Sequence, residues 1–106
     1  MRALSFDDEE TTQLKWLIEQ ASAEVTAAKK SKFYNEFQQI LPVVHAIDAD
    51  QPINISEEQL HTVVEAFDIG RSVNVDLIST RLTPSQQDAI KRIEGKLMQA
   101  KKHDSD

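Results

Sequence analysis

Only two glycines, Gly70 and Gly95, and three prolines, Pro42, Pro52 and Pro84, interrupt a chain of 106 residues. An all-β plan needs many tight corners, and glycine and proline are the residues that build them. Amphipathic helices need far fewer. The expected fold class is therefore mainly α, a compact bundle of about four helices.

The apolar residues fall at helical spacings. Leu14, Leu17, Ile18, Ala21, Val25 and Ala28 share one face of a first helix that begins near Ser5 or Asp7. Ser5 with Asp8, or Asp7 with Glu10, can satisfy the free amides of its first turn, and the acidic run from Asp7 to Glu10 suits the positive end of the helix dipole. A second stripe follows: Phe33, Tyr34, Phe37, Ile40, Leu41, Val44 and Ile47. At about 100° per residue this stripe would sit well around the axis from the first if a single helix ran through both. A break near Lys29 to Lys32, with Ser31 capping the new helix, resolves the mismatch; one long two-faced helix is the alternative. Pro42 lies on the solvent side of the second stripe, where it is expected to kink the helix rather than end it.

Ser56-Glu57-Glu58-Gln59 is a capping box, with Ile55 and Leu60 placed as a hydrophobic staple. Leu60, Val63, Val64 and Phe67 form the buried face of the helix it starts, and Gly70 is the expected residue just past its end. Beyond it Val73, Val75 and Leu77 alternate with Asn74 and Asp76, and Ile53 and Ile55 flank Asn54. Both stretches have the period of a strand and are candidates for a short two-stranded β ribbon, 52–56 with 72–78; the alternative is one more helical piece from Val73 to Arg81. Thr83-Pro84-Ser85-Gln86 opens a last helix with Ile90, Ile93 and Leu97 inward. Residues 1–102 read as a single helical domain, with 103–106 fraying.

Composition narrows the chemistry. Lys and Arg number 12 and Asp and Glu 18, a formal charge of −6, which argues against binding nucleic acid or an anionic membrane surface. Cysteine is absent, so disulfides and thiolate chemistry are excluded and a cytoplasmic location is expected. No apolar run approaches the roughly 20 residues of a membrane span. Asp48, Asp50, Asn54 and Ser56 have the spacing of calcium-loop ligands, but Pro52, Ile53 and Gln59 stand where that loop needs a ligand, a glycine and a bidentate glutamate. His45 with Asp48 and Asp50, and His61 with Glu57 and Glu65, would make a cation site only if the two regions met, because local spacing fixes no set of three ligands. Phosphate-binding loops, nucleophile elbows and zinc-protease motifs are missing. No metal, no cofactor and no enzymatic activity are expected.

What remains is surface. Between Asp48 and Asp68 the chain carries Asp48, Asp50, Glu57, Glu58, Glu65 and Asp68 and no Lys or Arg. Trp16 points away from the first helix's main stripe, toward Ala23 and Ala27, and small residues beside one indole allow close approach of another helix. The reading is a small non-enzymatic interaction or regulatory module, acting on a protein partner through its acidic helical surface or self-associating as a homodimer through Trp16, Ala23 and Ala27. Two alternatives use the same residues differently. Residues 62–78 resemble a degenerate helix-turn-helix DNA-binding element, although its turn, placed on Asp68 or Gly70, puts Asn74 or Arg71 in the core. The acidic surface also suits an inhibitor that mimics nucleic acid.

Overall fold

A computed structural model describes residues 2–27 and 31–104, with side chains described for 4–27 and 33–101. The elements are β1 (Arg2–Leu4), α1 (Asp8–Ala27), α2 (Ser31–His45), β2 (Ile53–Ile55), α3 (Glu57–Val73), α4 (Val75–Arg81) and α5 (Pro84–Asp104). The fold is mainly α, with a fifth helix beyond the expected four in the form of the short α4. Its radius of gyration, 13.2 Å, matches the roughly 13 Å of a compact chain of this length.

α1 is the centre of the bundle and packs against α2, α3 and α5. Its start is fixed by a reciprocal cap: the Glu10 amide donates to Asp7 Oδ1 at 2.7 Å and the Asp7 amide donates to Glu10 Oε1 at 2.9 Å. Of the two expected caps, Asp7 with Glu10 is the one formed. Leu14, Leu17, Ile18, Ala21 and Val25 are all buried, as the spacing predicts.

The break between the two stripes is real. Lys15 donates to the His45 carbonyl and Gln38 to Ser22 Oγ, so α2 runs back antiparallel along α1 and the single long helix is excluded. Of the expected turn at 29–32, residues 29 and 30 lie outside the described residues, as does Ala28 of the first stripe and the Ser31 side chain, while α2 already runs from Ser31. α2 buries Phe37, Ile40 and Val44 and carries Pro42 inside it, exposed to solvent, so the helix continues through the proline.

The ribbon has a different partner from the one expected. β2 pairs antiparallel with β1, matching Arg2 with Ile55, Ala3 with Asn54 and Leu4 with Ile53, and residues 72–78 are helical. β2 turns Ile55 into the core, and just beyond β1 the Phe6 ring is buried while its carbonyl accepts from the Asp50 amide at 2.7 Å. Asp50 takes a left-handed φ of 63° to make that bond. These contacts hold the amino-terminal strand against β2. In a run as short as Val73–Leu77, alternation alone does not separate strand from helix.

Gly70 also corrects its expectation. It lies inside α3, buried, and the helix ends three residues later at Val73. A Cβ at Gly70 would stand 2.2 Å from the Leu17 carbonyl oxygen, so the residue is a contact point between α1 and α3 rather than a cap. Asn74 makes the stop, its side-chain amide donating to the Gly70 carbonyl at 2.9 Å. The turn that a helix-turn-helix requires at Asp68 or Gly70 is therefore helical. α5 begins with the expected Thr83–Gln86 box and runs to Asp104, past the fray point expected at 103; Ser105 and Asp106 lie outside the described residues.

Candidate functional site

α3 separates its side chains by chemistry. Leu60, Val63, Val64 and Phe67 enter the core, and Glu57, Glu58, His61, Glu65 and Asp68, spaced one, three, four and three residues apart, share the opposite face. The helix is oriented by the Ser56–Gln59 box, where the Gln59 amide donates to Ser56 Oγ at 3.1 Å and the Ser56 amide to Gln59 Oε1 at 2.9 Å. Ile55 and Leu60, buried on either side of it, close the hydrophobic staple. The sequence pattern thus places four of its six acidic residues on one helix face. Asp48 and Asp50 are exposed in the loop between α2 and β2, on a different element.

Glu57, Glu58 and Asp68 are exposed, and among the described residues none of the three forms an ion pair; Glu65 is half-buried and faces His61 Nε2 at 3.1 Å. A cleft of about 400 Å³ between α2 and α3 borders the stripe, lined by Glu36, Gln39, Ile40, Glu58 and His61 among others.

The acidic residues at the start of α1 behave differently. Glu10 is only 1% exposed, with Lys96 Nζ 2.6 Å from one oxygen and Arg92 Nε 3.1 Å from the other. Arg92 also reaches Asp7 at 3.4 Å and pairs with Asp88 one turn back on α5. Partial desolvation lowers the Arg92 pKa, but the Glu10 hydrogen bond and the charges of Asp88, Asp7 and Glu10 outweigh it and hold the guanidinium above its ordinary value. Lys96 donates as well to the Ser5 carbonyl at 3.0 Å and lies over the Phe6 ring. Sequence reasoning missed this network. Its visible signal was Asp88, Arg92 and Lys96 at four-residue spacing, one acid and two cations on one face of the last helix.

His45 and His61 are held in separate pairs: His45 Nε2 is 3.2 Å from Glu19 across the α1–α2 contact, and His61 faces Glu65 within α3. Among the described residues no three His, Cys, Asp or Glu side chains approach closely enough to hold a metal ion. Trp16 is half-buried against the edge of the core, while Ala23 and Ala27 are exposed further along the same side of α1. No described helix is long and apolar enough to cross a membrane. Comparison of the chain with protein families, with curated proteins and with solved structures finds no match.

Proposed function

We propose that the protein is a non-enzymatic interaction module of the cytoplasm, which docks a cationic protein surface through the outer face of α3. The observation that carries this reading is that, among the described residues, Glu57, Glu58 and Asp68 form no ion pair on one exposed helix face, set against the ion-paired acids at the start of α1. Unpaired like charges on one face steer and orient a partner of opposite sign far better than they stabilise a fold. The test is capture of partners from the source cell with wild type and with Glu57→Lys/Glu58→Lys. The reading expects a partner that is released by raised salt and absent from the variant. Equal capture by both proteins refutes it.

The nucleic-acid-mimic reading is the same docking with a DNA-binding enzyme as partner, and duplex DNA then displaces the captured protein. Self-association draws on another observation, the placement of Trp16, Ala23 and Ala27 on the side of α1 opposite its buried face. Sedimentation separates the two. A dimer converted to a monomer by Trp16→Ala supports the homodimer. A wild type already monomeric assigns Trp16 to packing alone.

A further inference from the structure

Little holds α4 in place. It has seven residues, buries none of them and packs chiefly on α3, the helix it follows. Ile78 is half-buried against the edge of the core, and the other six residues are exposed. No side chain caps its first turn, because the amide of Asn74, which stands there, is turned back to the Gly70 carbonyl at 2.9 Å. The hydroxyls of Ser79 and Thr80 both donate to the Asp76 carbonyl within the helix, at 3.1 and 2.6 Å, an arrangement that weakens a helix slightly. Val75, Ile78 and Thr80 are branched at Cβ and lose side-chain freedom there. Asp76 and Arg81 suit the helix dipole at its two ends, but both are exposed and add little. A helix shorter than about 12 residues is marginal in water unless packing supports it, and α4 receives little.

Its neighbours are fixed without it. α3 is stopped by the Asn74–Gly70 bond before α4 begins. α5 starts on its own Thr83–Gln86 box, and Gln87 Nε2 donates to the Leu82 carbonyl at 3.0 Å. Ser85 Oγ donates to Glu9 Oε2 at 2.7 Å and ties the start of α5 to the start of α1. We propose that residues 75–81 form a strap that opens as a unit while α1, α2, α3 and α5 stay folded, with its hinges at Asn74 and Leu82, the two residues that cap it with non-helical backbone. Ile78 is the latch, and opening carries its side chain into water. In the open state the backbone of 75–81 is reached by water, and by any protease that needs an extended strand, without unfolding of the bundle. The inference is independent of docking on the outer face of α3.

Hydrogen exchange of the intact chain, read residue by residue by NMR, is the test. The amides of residues 79–81 are expected to be protected by about tenfold or less, and those in the interiors of α1 and α3 by more than about a thousandfold. Ser79→Pro, at an exposed position, breaks α4 outright. From a strap that opens by itself the proline can take no more than its closing was worth, so protection in α1 and α3 is expected to fall by at most about tenfold. A helix built into the bundle's cooperative unit would pass on the whole cost of the proline, a factor above about a hundred. Ile78→Ala is expected to abolish what protection α4 has and to leave α1 and α3 within the same tenfold. Protection in α4 above about tenfold overturns the proposal, as does a larger fall than that in α1 and α3 on either substitution. Interiors of α1 and α3 that exchange as fast as α4 overturn it too, because the whole bundle then opens and not the strap.

Discussion

Replacing Gly70 and Gly95 by alanine makes the same chemical change in the interior of two helices, and the structure predicts opposite signs. Gly95 sits on the exposed side of α5 with nothing within 4 Å of an added Cβ. There the methyl only restricts the unfolded chain and improves helix propensity, for a gain of about 0.5–1 kcal/mol. At Gly70 the same gain is present, but the methyl would lie 2.2 Å from the Leu17 carbonyl oxygen and 2.9 Å from its carbon. Those are backbone atoms that cannot rotate aside. Relief requires α1 and α3 to part by about 1 Å, and a gap of that size forfeits a quarter to a half of the dispersion well at each contact it opens. Leu14, Leu17, Ile18, Val63, Ala66 and Phe67, buried residues of the two helices, carry that loss. Overpacking costs about 1–3 kcal/mol, a clash with fixed backbone stands at the upper end of that range, and the propensity gain reduces the net to about 1–2 kcal/mol of destabilisation. For a domain of this size that lowers Tm by roughly 4–16 °C, while Gly95→Ala raises it by a few degrees. Urea and thermal melts of the two variants beside wild type are the assay. A Gly70→Ala protein as stable as wild type would refute the close α1–α3 approach.

The Glu10 network gives a second outcome. Glu10→Gln keeps an acceptor for the Asp7 amide but takes away the carboxylate that Lys96 pairs with and one of the three that Arg92 pairs with, each cation being 40% exposed. Because water can reach both, the expected loss is about 1–3 kcal/mol in urea unfolding rather than the full penalty of a broken buried pair. Ser56→Ala removes the α3 cap and is expected to cost about 1 kcal/mol, with Ser56→Gly restoring most of it. Arg92 has a folded pKa raised above its ordinary value, so its contribution is fully present below the unfolded value and is lost only as pH rises through the folded one. The difference in unfolding midpoint between wild type and Arg92→Gln should then stay constant from about pH 6 to about pH 10. A difference that shrinks within that window contradicts the pairing.

What the sequence made legible was what a single element decides for itself. The Ser56–Gln59 and Thr83–Gln86 boxes close within four residues, and both are present as read. The stripes of α1 and α2 were visible because a helix repeats its buried face every turn. The misreadings all depended on a distant neighbour. Gly70 has the residue type of a helix end, yet its lack of a side chain serves a contact with Leu17, 53 positions earlier in the chain. β2 was correctly seen as extended, but its partner is decided by Phe6 and Asp50, whose bond has no local signature. Val73, Val75 and Leu77 alternate like a strand that buries one face, and all three are exposed on or beside α4. Of the candidate site, the acidic face of α3 was readable from spacing alone, whereas the network of Glu10 with Arg92 and Lys96 joins residues that lie 82 and 86 positions apart.

The charge of −6 is unevenly used, and that unevenness links fold to function. Arg92 and Lys96 of α5 are drawn to Asp7 and Glu10, where they close α5 over the start of α1. Arg71, the one basic residue at the end of α3, is turned to Glu94 on α5 and over the Phe67 ring. Among the described residues Glu57, Glu58 and Asp68 form no ion pair; the first two lie in the first turn of α3, where the helix dipole favours them, and Asp68 stands ten residues or more further along, so none of the three is within a turn of facing another. On the proposed docking, a cationic partner binds only the folded arrangement, because an unfolded chain has no common face on which these residues stand. Docking on α3 must therefore stabilise the fold as well as form the complex, by the same linkage that makes any ligand of the native state raise its melting temperature.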